Sequence, residues 1–274
     1  MTKLNLKNDI VFKAFFARKG NEEFLVDFLK ALLKIDIQKI VIKEEVGLQQ
    51  LSSQEKGGRL DIQAILNDGV IVNIELQIQN ERNIRQRTTL YSSKVLAREI
   101  AKGTKYEDIK QVIMVNILDY ELLGFEEYIS ETAIVLEKHR EYEVLKGIKW
   151  YFVELPKFRK AHPDMNEKIN QWLAFIDDYD KEVVKMAEKN NKTIERARFE
   201  MNYLTGDAAV RRLAELREKW DMDRNSDIYW AKEDGKKSNQ IEIAKKLINL
   251  KMPIDQIIEI TELTEEEVKN IQEN

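Results

Sequence analysis

Arg59-Leu60-Asp61-Ile62-Gln63-Ala64-Ile65-Leu66, then Asn67-Asp68-Gly69, then Val70-Ile71-Val72-Asn73-Ile74-Glu75-Leu76-Gln77-Ile78-Gln79 is the stretch whose reading decides the fold. Leu60, Ile62, Ala64 and Leu66 alternate with Asp61 and Gln63, while Val70, Val72, Ile74, Leu76 and Ile78 alternate with Asn73, Glu75 and Gln77. A period of two means two strands, each with one apolar face for a core and one face carrying a polar ladder. The turn sets which polar residues meet. A two-residue Asp68-Gly69 turn would oppose Asp61 to Leu76 and mix polar with apolar faces, because a one-residue slip reverses sides. A three-residue loop over 67–69, with Gly69 left-handed in a bulge, pairs Leu66 with Val70, Ala64 with Val72, Ile62 with Ile74 and Asp61 with Glu75. We expect this second register, since it gathers every apolar pair on one face.

Directly opposed residues have Cβ atoms about 4.5–5.5 Å apart, where like charges destabilise a sheet. A divalent cation offsets that repulsion, and hard oxygen ligands suit Mg²⁺ first, with Mn²⁺ and Ca²⁺ as alternatives. The competing reading is a solvated hairpin face on which Gln63 and Asn73 dilute the charge. Spacing alone leaves both open.

The chain has 274 residues, 43% of them hydrophobic, enough for one large or two modest domains with a sizeable core. With no cysteine, it has no disulfide, thiolate zinc site or cysteine nucleophile, which fits a reducing compartment; cytoplasm is the expected location. The polar start does not suit a signal peptide, and no run approaches the roughly 20 apolar residues of a membrane span. We therefore expect no membrane association and no organic cofactor. A net charge of −4 means that any nucleic-acid binding must use a local basic patch. His139 and His162 lie in no metal-ligand spacing and read as ordinary surface or loop residues.

Residues 9–16 and 22–34 read as helices, the second opened by an Asn21 cap. A strand over 37–44 and a polar loop lead into the hairpin, a helix over 82–102 closed by Gly103 follows, and 111–118 reads as a buried strand. The crossover helix places that strand parallel to a neighbour. Strand candidates at 132–137 and 148–155 precede Pro156, which with Pro163 punctuates a loose boundary. Beyond it Trp172, Phe175, Ile176 and Tyr179 form an apolar stripe, and helices continue over 192–203 and 207–220. At the tail, 240–250, 253–260 and 264–272 make a small helix-turn-helix-like unit, with Thr264 and Glu267 as a capping box. Its last helix begins with three glutamates, which speaks for packing or partner contact over DNA reading. The expected domains are thus 1–160, 161–235 and 236–274.

On the helix after the hairpin, Arg87, Tyr91, Lys94, Arg98, Lys102 and Lys105 fall in one narrow stripe. Beside a carboxylate site, such a stripe suits a DNA backbone, where Arg and Lys contact phosphates. A solvated charged face is the other reading.

Asn8-Asp9-Ile10-Val11-Phe12-Lys13, Leu60-Asp61-Ile62, Asn73-Ile74-Glu75-Leu76-Gln77, Arg87 with Tyr91-Ser92-Ser93, and Val153-Glu154-Leu155-Pro156-Lys157-Phe158 resemble, in order and spacing, the Rpn family of recombination-promoting nucleases, described also as PD-(D/E)XK nuclease family transposases. The resemblance covers most of the chain. It implies an α/β fold: a restriction-endonuclease-like core, a mixed sheet flanked by helices, followed by a helical C-terminal region. It implies Asp61 and Glu75 as metal ligands, helped by the Leu76 carbonyl, with Gln77 where Lys is usual. Gln can orient water but cannot neutralise charge, so either the metal takes more of the electrostatic work or a lysine from another element, Lys13 or Lys94, reaches the site. Asp9 is a third acidic candidate, whose plainer role is a helix cap. Arg87, Tyr91, Lys94, Arg98 and Lys102 are the expected DNA contacts. The resulting expectation is a metal-dependent DNA endonuclease in recombination, mobile-element or defence biology, with a homodimer suiting double-strand cutting. The alternatives are a catalytically weak or inactive scaffold that binds partners, and an RNase with the same site.

Overall fold

The computed structural model describes residues 4–43, 62–67, 69–80, 82–99 and 105–273. Strand β2 (Ile62–Leu66) and strand β3 (Val70–Gln77) form the expected hairpin. Their register is Leu66↔Val70, Ala64↔Val72 and Ile62↔Ile74, as the three-residue loop requires. Gly69 takes φ 114°, a region that favours glycine, and its amide donates to the Leu66 carbonyl at 2.9 Å. Asn67 also has positive φ, at 44°. Its side chain explains the choice: Oδ1 accepts the Gln38 amide at 2.8 Å and Nδ2 donates to the Asp36 carbonyl at 2.8 Å, tying the turn to the segment before β1 (Ile40–Ile42). Asp61, Asp68 and the polar loop expected before the hairpin lie outside the described residues.

The described strands build a six-stranded sheet in the order β1-β2-β3-β4-β8-β5, with β4 at Val112–Leu118, β5 at Ile129–Glu131 and β8 at Ile148–Glu154. β3, β4 and β8 run parallel, and the flanking pairs are antiparallel. Every residue of β4 is buried, because helices cover both faces of a parallel centre. On one face lie α1 (Asp9–Phe16), α2 (Glu22–Leu33) and α5 (Lys168–Asp177), whose Phe12, Phe16, Phe28 and Trp172 join Ile62, Ile74, Val115 and Val153 in one core. On the other lies α3 (Ile84–Glu99), whose Val95, Tyr91 and Leu96 meet Ile71, Val112 and Met114. The β3 half of the hairpin's polar face is therefore not solvated, while Gln63 of β2 is half-buried. Asn73, Glu75 and Gln77 are all buried.

Several local expectations are corrected. Asn21 stands at the N-cap of α2, but its side chain donates to the Phe15 carbonyl at 2.8 Å, tying α1 to α2 rather than capping. The strand expected over 37–44 is three residues long. The candidate at 132–137 is β6 (Ile134–Leu136), paired in a separate two-stranded sheet with β7 (His139–Leu145), and β5 and β7 carry too few buried residues to show a core pattern in sequence. Pro156 opens a helix, α4 (Leu155–Ala161), where its missing N–H costs no bond and its fixed φ suits the first turn. Tyr179 lies beyond α5, which stops at a left-handed Asp178. α3 begins at Ile84, after Arg82 with φ 60°.

Helices α6 (Lys181–Asn190) and α7 (Lys192–Gly206) add Ala187, Ile194, Ala197 and Met201 to the main core. The next helix, α8, runs unbroken from Ala208 to Asn249, so the helices expected over 207–220 and 240–250 are parts of one element. The chain divides into two compact units, Met1–Leu216 and Arg217–Asn274. In the second, Ala244 of α8, Ile257 of α9 (Ile254–Thr261), Leu263, and Val268 of α10 (Glu265–Glu273) form a small core. The capping box is present: the Thr264 amide donates to Glu267 Oε2 at 2.8 Å and the Glu267 amide to Thr264 Oγ1 at 3.3 Å. Lys237 bonds the same carboxylate. That ion pair, with the Thr264 bonds, pushes the Glu267 carboxyl down to about 2. Among the described residues, no helix is long and apolar enough to cross a membrane.

Candidate functional site

Glu75 is 1% exposed in the middle of β3, facing α3. A carboxylate this deep requires a charged or hydrogen-bonding partner. Arg87 supplies one from the first turn of α3, with Nη2 2.5 Å from Glu75 Oε1. The Arg87 guanidinium also lies over the Tyr91 ring at 5.2 Å, and Lys94 approaches that ring at 5.9 Å. Residues four and three apart on a helix share a face, so Arg87, Tyr91 and Lys94 line up outward from the buried carboxylate. Lys94 and Arg98 are exposed, which makes the stripe's inner end an ion pair and its outer end a solvated basic rim. Lys102 lies outside the described residues, and Lys105 precedes a short 3₁₀ turn, Tyr106–Asp108.

Gln77, two residues beyond Glu75, shares its face and is 5% exposed. Its Oε1 accepts a hydrogen bond from the Tyr120 hydroxyl at 3.1 Å, and its Nε2 is buried with no hydrogen-bond partner among the described residues. Neighbouring β4 places Asn116 directly beside Glu75 in the parallel register. Asn116 is fully buried; its Nδ2 donates to the Tyr151 carbonyl at 3.2 Å, and Oδ1 has no hydrogen-bond partner among the described residues. Thr88 Oγ1 of α3 is in the same condition. A buried polar atom left without a partner costs about 1–3 kcal/mol. These atoms belong to the side of the sheet that α3 covers, together with the Glu75–Arg87 pair and the apolar Ile71, Val95, Val112 and Met114.

Neither Tyr120 nor Asn116 was singled out from sequence. Asn116 had a signal, as the one polar residue in the run 112–118. Tyr120 had none, because it reaches Gln77 only through the fold.

The carboxyl ends of the parallel strands are held by two ion clusters, one buried and one half-buried around Asp177. Glu154, fully buried, pairs with Lys157 at 2.7 Å, and its other oxygen accepts the amides of Leu122 and of Leu123, the latter at 3.1 Å. Arg159 grips Asp177 through two bonds of 2.7 and 2.9 Å and also bonds Asp119, while Lys7 lies 3.2 Å from Asp177. These partners, Asp177 foremost, raise the Arg159 pKa. The Asp119 amide donates to the Gln77 carbonyl at 2.9 Å, so the segment leaving β4 is stitched to the end of β3.

Asp9 sits in the first turn of α1, its Oδ1 accepting the Ile10 amide at 2.9 Å, while Asn8 is the cap and accepts the Ile10 and Val11 amides. Lys13, one turn on, is 2% exposed in a helix whose apolar residues join the main core. Among the described residues no three His, Cys, Asp or Glu side chains gather into a metal-binding group. The parallel register sets Glu75 and Asn116 side by side on adjacent strands, and their carboxylate and amide oxygens are of the kind that a hard divalent cation takes. His139 is exposed beside Glu141, and His162 is the left-handed residue ending α4.

One family model, described as PD-(D/E)XK nuclease family transposase, matches residues 6–231 of the chain. No curated protein and no solved structure matches it.

Proposed function

The chain belongs to the PD-(D/E)XK nuclease family transposases, and from that premise we propose that it is a metal-dependent endonuclease hydrolysing phosphodiester bonds in DNA. The observation that carries the reading is the buried Glu75 on the α3 side of the sheet, with Arg87 at 2.5 Å and Gln77 on the same face. An ionised carboxylate and a row of buried polar groups destabilise an interface that apolar side chains could have filled, so a chemical use is the economical explanation.

In this reading Glu75 and Asp61 hold a divalent ion, Mg²⁺ foremost, and Asn116 offers a further oxygen beside Glu75. Bound there, the ion supplies water activation and charge neutralisation at the phosphate. Gln77 orients a water molecule or a phosphate oxygen. Arg87 holds Glu75 in place and ionised, and Lys94 with Arg98 on the exposed rim contacts the DNA backbone. The hypothesis includes recombination or mobile-element biology as its setting.

The test is plasmid cleavage in Mg²⁺ and in Mn²⁺ by the unmodified protein and by Asp61→Ala and Glu75→Gln. Cleavage should fall at least ~10²-fold in each variant, as loss of a metal ligand implies. Undiminished cleavage by both removes the reading. A second reading, a nuclease-fold scaffold without activity, is favoured by one observation: Arg87 already neutralises Glu75. Calorimetric titration with Mg²⁺ and Mn²⁺ separates the two, since a scaffold binds neither at Glu75. The same assay run on RNA tests whether the sugar matters.

A further inference from the structure

We propose that Tyr120 is a positioning residue that fixes Gln77 as a hydrogen-bond donor toward an anionic oxygen of the phosphodiester, and that the Glu154–Lys157 pair holds Tyr120 in place. The proposal rests on the nuclease reading of the same site.

A carboxamide is ambivalent: one end accepts, the other donates, and a half-turn exchanges them. At Gln77 that ambiguity is resolved by a partner. The Tyr120 hydroxyl donates to Oε1 at 3.1 Å, which leaves the Nε2 hydrogens as the end presented elsewhere. Those hydrogens are buried and have no partner among the described residues. Their neighbour on the strand face is Glu75, so a phosphate oxygen drawn to that carboxylate's metal would find an N–H donor where a lysine would offer one. Gln77 thereby keeps the lysine's directional role while giving up its charge.

Tyr120 can impose this orientation because it is itself constrained. Its ring packs with Ile84 of α3, Leu118 of β4 and Phe152 of β8. The segment that carries it starts from the Asp119 amide, bonded to the Gln77 carbonyl at 2.9 Å, and ends at Leu122 and Leu123, whose amides both bond Glu154 Oε1. Glu154 is buried and is held by Lys157 at 2.7 Å. The continuous path from Lys157 through Glu154 and the 119–123 loop to Tyr120 and Gln77 gives the segment Glu154-Leu155-Pro156-Lys157, distant in sequence from the hairpin, a purpose at the site.

The experiment is a double-mutant cycle on plasmid cleavage in Mg²⁺, using Tyr120→Phe, Gln77→Lys and their combination. Tyr120→Phe should lower kcat about tenfold, one hydrogen bond's worth of orientation, with KM for DNA changed less than twofold. In the Gln77→Lys background the same substitution should cost at most twofold, because an ammonium donates in any rotation. Equal losses in the two backgrounds, with an active unmodified protein, overturn this proposal alone; no cleavage by the unmodified protein overturns the nuclease reading and this with it. A readout independent of turnover covers a Gln77→Lys variant that does not fold. In glutamine-labelled protein, the Gln77 side-chain N–H pair, identified by its loss in Gln77→Glu, should shift and exchange faster in Tyr120→Phe, and an unmoved pair overturns the proposal.

Discussion

The two faces of the central sheet are built from the same strands and are both covered by helices, yet their contents differ. Toward α1, α2 and α5 the sheet presents Ile62, Ala64, Val72, Ile74, Val115 and Val153 to stacked and edge-on aromatics, among them Phe15, Phe16, Phe28 and Trp172. Toward α3 the same strands present Asn73, Glu75, Gln77, Asn116 and Glu154, all buried. The first face follows the rule that burial stabilises, at about 25 cal/mol per Å² of apolar surface. The second departs from it five times within three neighbouring strands, and two of its amides keep a buried atom without a hydrogen-bond partner among the described residues. Local inconsistency of this kind, against a background of good packing, is what a functional site looks like in physical terms.

If that division of labour is correct, substitutions on the two faces should separate stability from activity. The largest effect is expected for Glu75→Gln, which preserves shape but removes the charge: cleavage falls at least ~10²-fold, and circular dichroism remains native. Retained cleavage would erase the distinction between the faces. Next comes Phe16→Ala on the apolar face, where an aromatic deletion costs about 3–5 kcal/mol in denaturant unfolding, while cleavage per folded molecule stays near the original. A proportionate loss of activity at full folding would show that the faces are coupled.

Asn116→Leu makes a finer test. Replacing a buried amide that lacks one partner with an apolar side chain of similar size should leave stability unchanged or raise it by up to about 1 kcal/mol, while cleavage drops about tenfold. A large destabilisation would mean that the amide serves packing instead.

The smallest effect concerns pH on the apolar side. Burial, together with Glu131, raises the Tyr151 pKa above its ordinary value of 10.0. The folded form then resists ionisation that the unfolded chain undergoes, so this group's contribution is fully present below pH ~10 and is lost as pH rises through its folded pKa. Urea midpoints measured across alkaline pH should decline, and Tyr151→Phe should flatten the decline. Identical slopes in the two proteins would remove Tyr151 as a cause.

Much of this was legible in the residues themselves. Alternation over 60–79 and the Asn67-Asp68-Gly69 loop specified strands, turn and register, since a one-residue error would have buried polar residues against the apolar core. A helix between β3 and β4 required their parallel pairing. Glu75, Gln77 and Arg87 were marked as candidates by charge in apolar surroundings and by the family pattern. The sequence did not indicate that Arg87 would turn inward onto Glu75 while Lys94 and Arg98, on the same stripe, stay outside. Nor did it indicate that Pro156 opens a helix, because proline equally marks an end and a first turn. Strands β5 and β7 escaped notice, as mostly exposed segments lack the periodic burial that betrays a strand.

By itself, the sequence determined the hairpin and its register, the alternation of strand and helix that makes the sheet mixed, and the capping box of the tail, because each depends on interactions within a few residues or on one repeating pattern. Only the tertiary structure decided that the polar ladder would be sealed under α3, that Asn116 would stand beside Glu75, and that Tyr120 would bond Gln77 across 43 residues of chain. Those are contacts between side chains brought together by packing, and the orientation of a buried amide is set by the partner that reaches it.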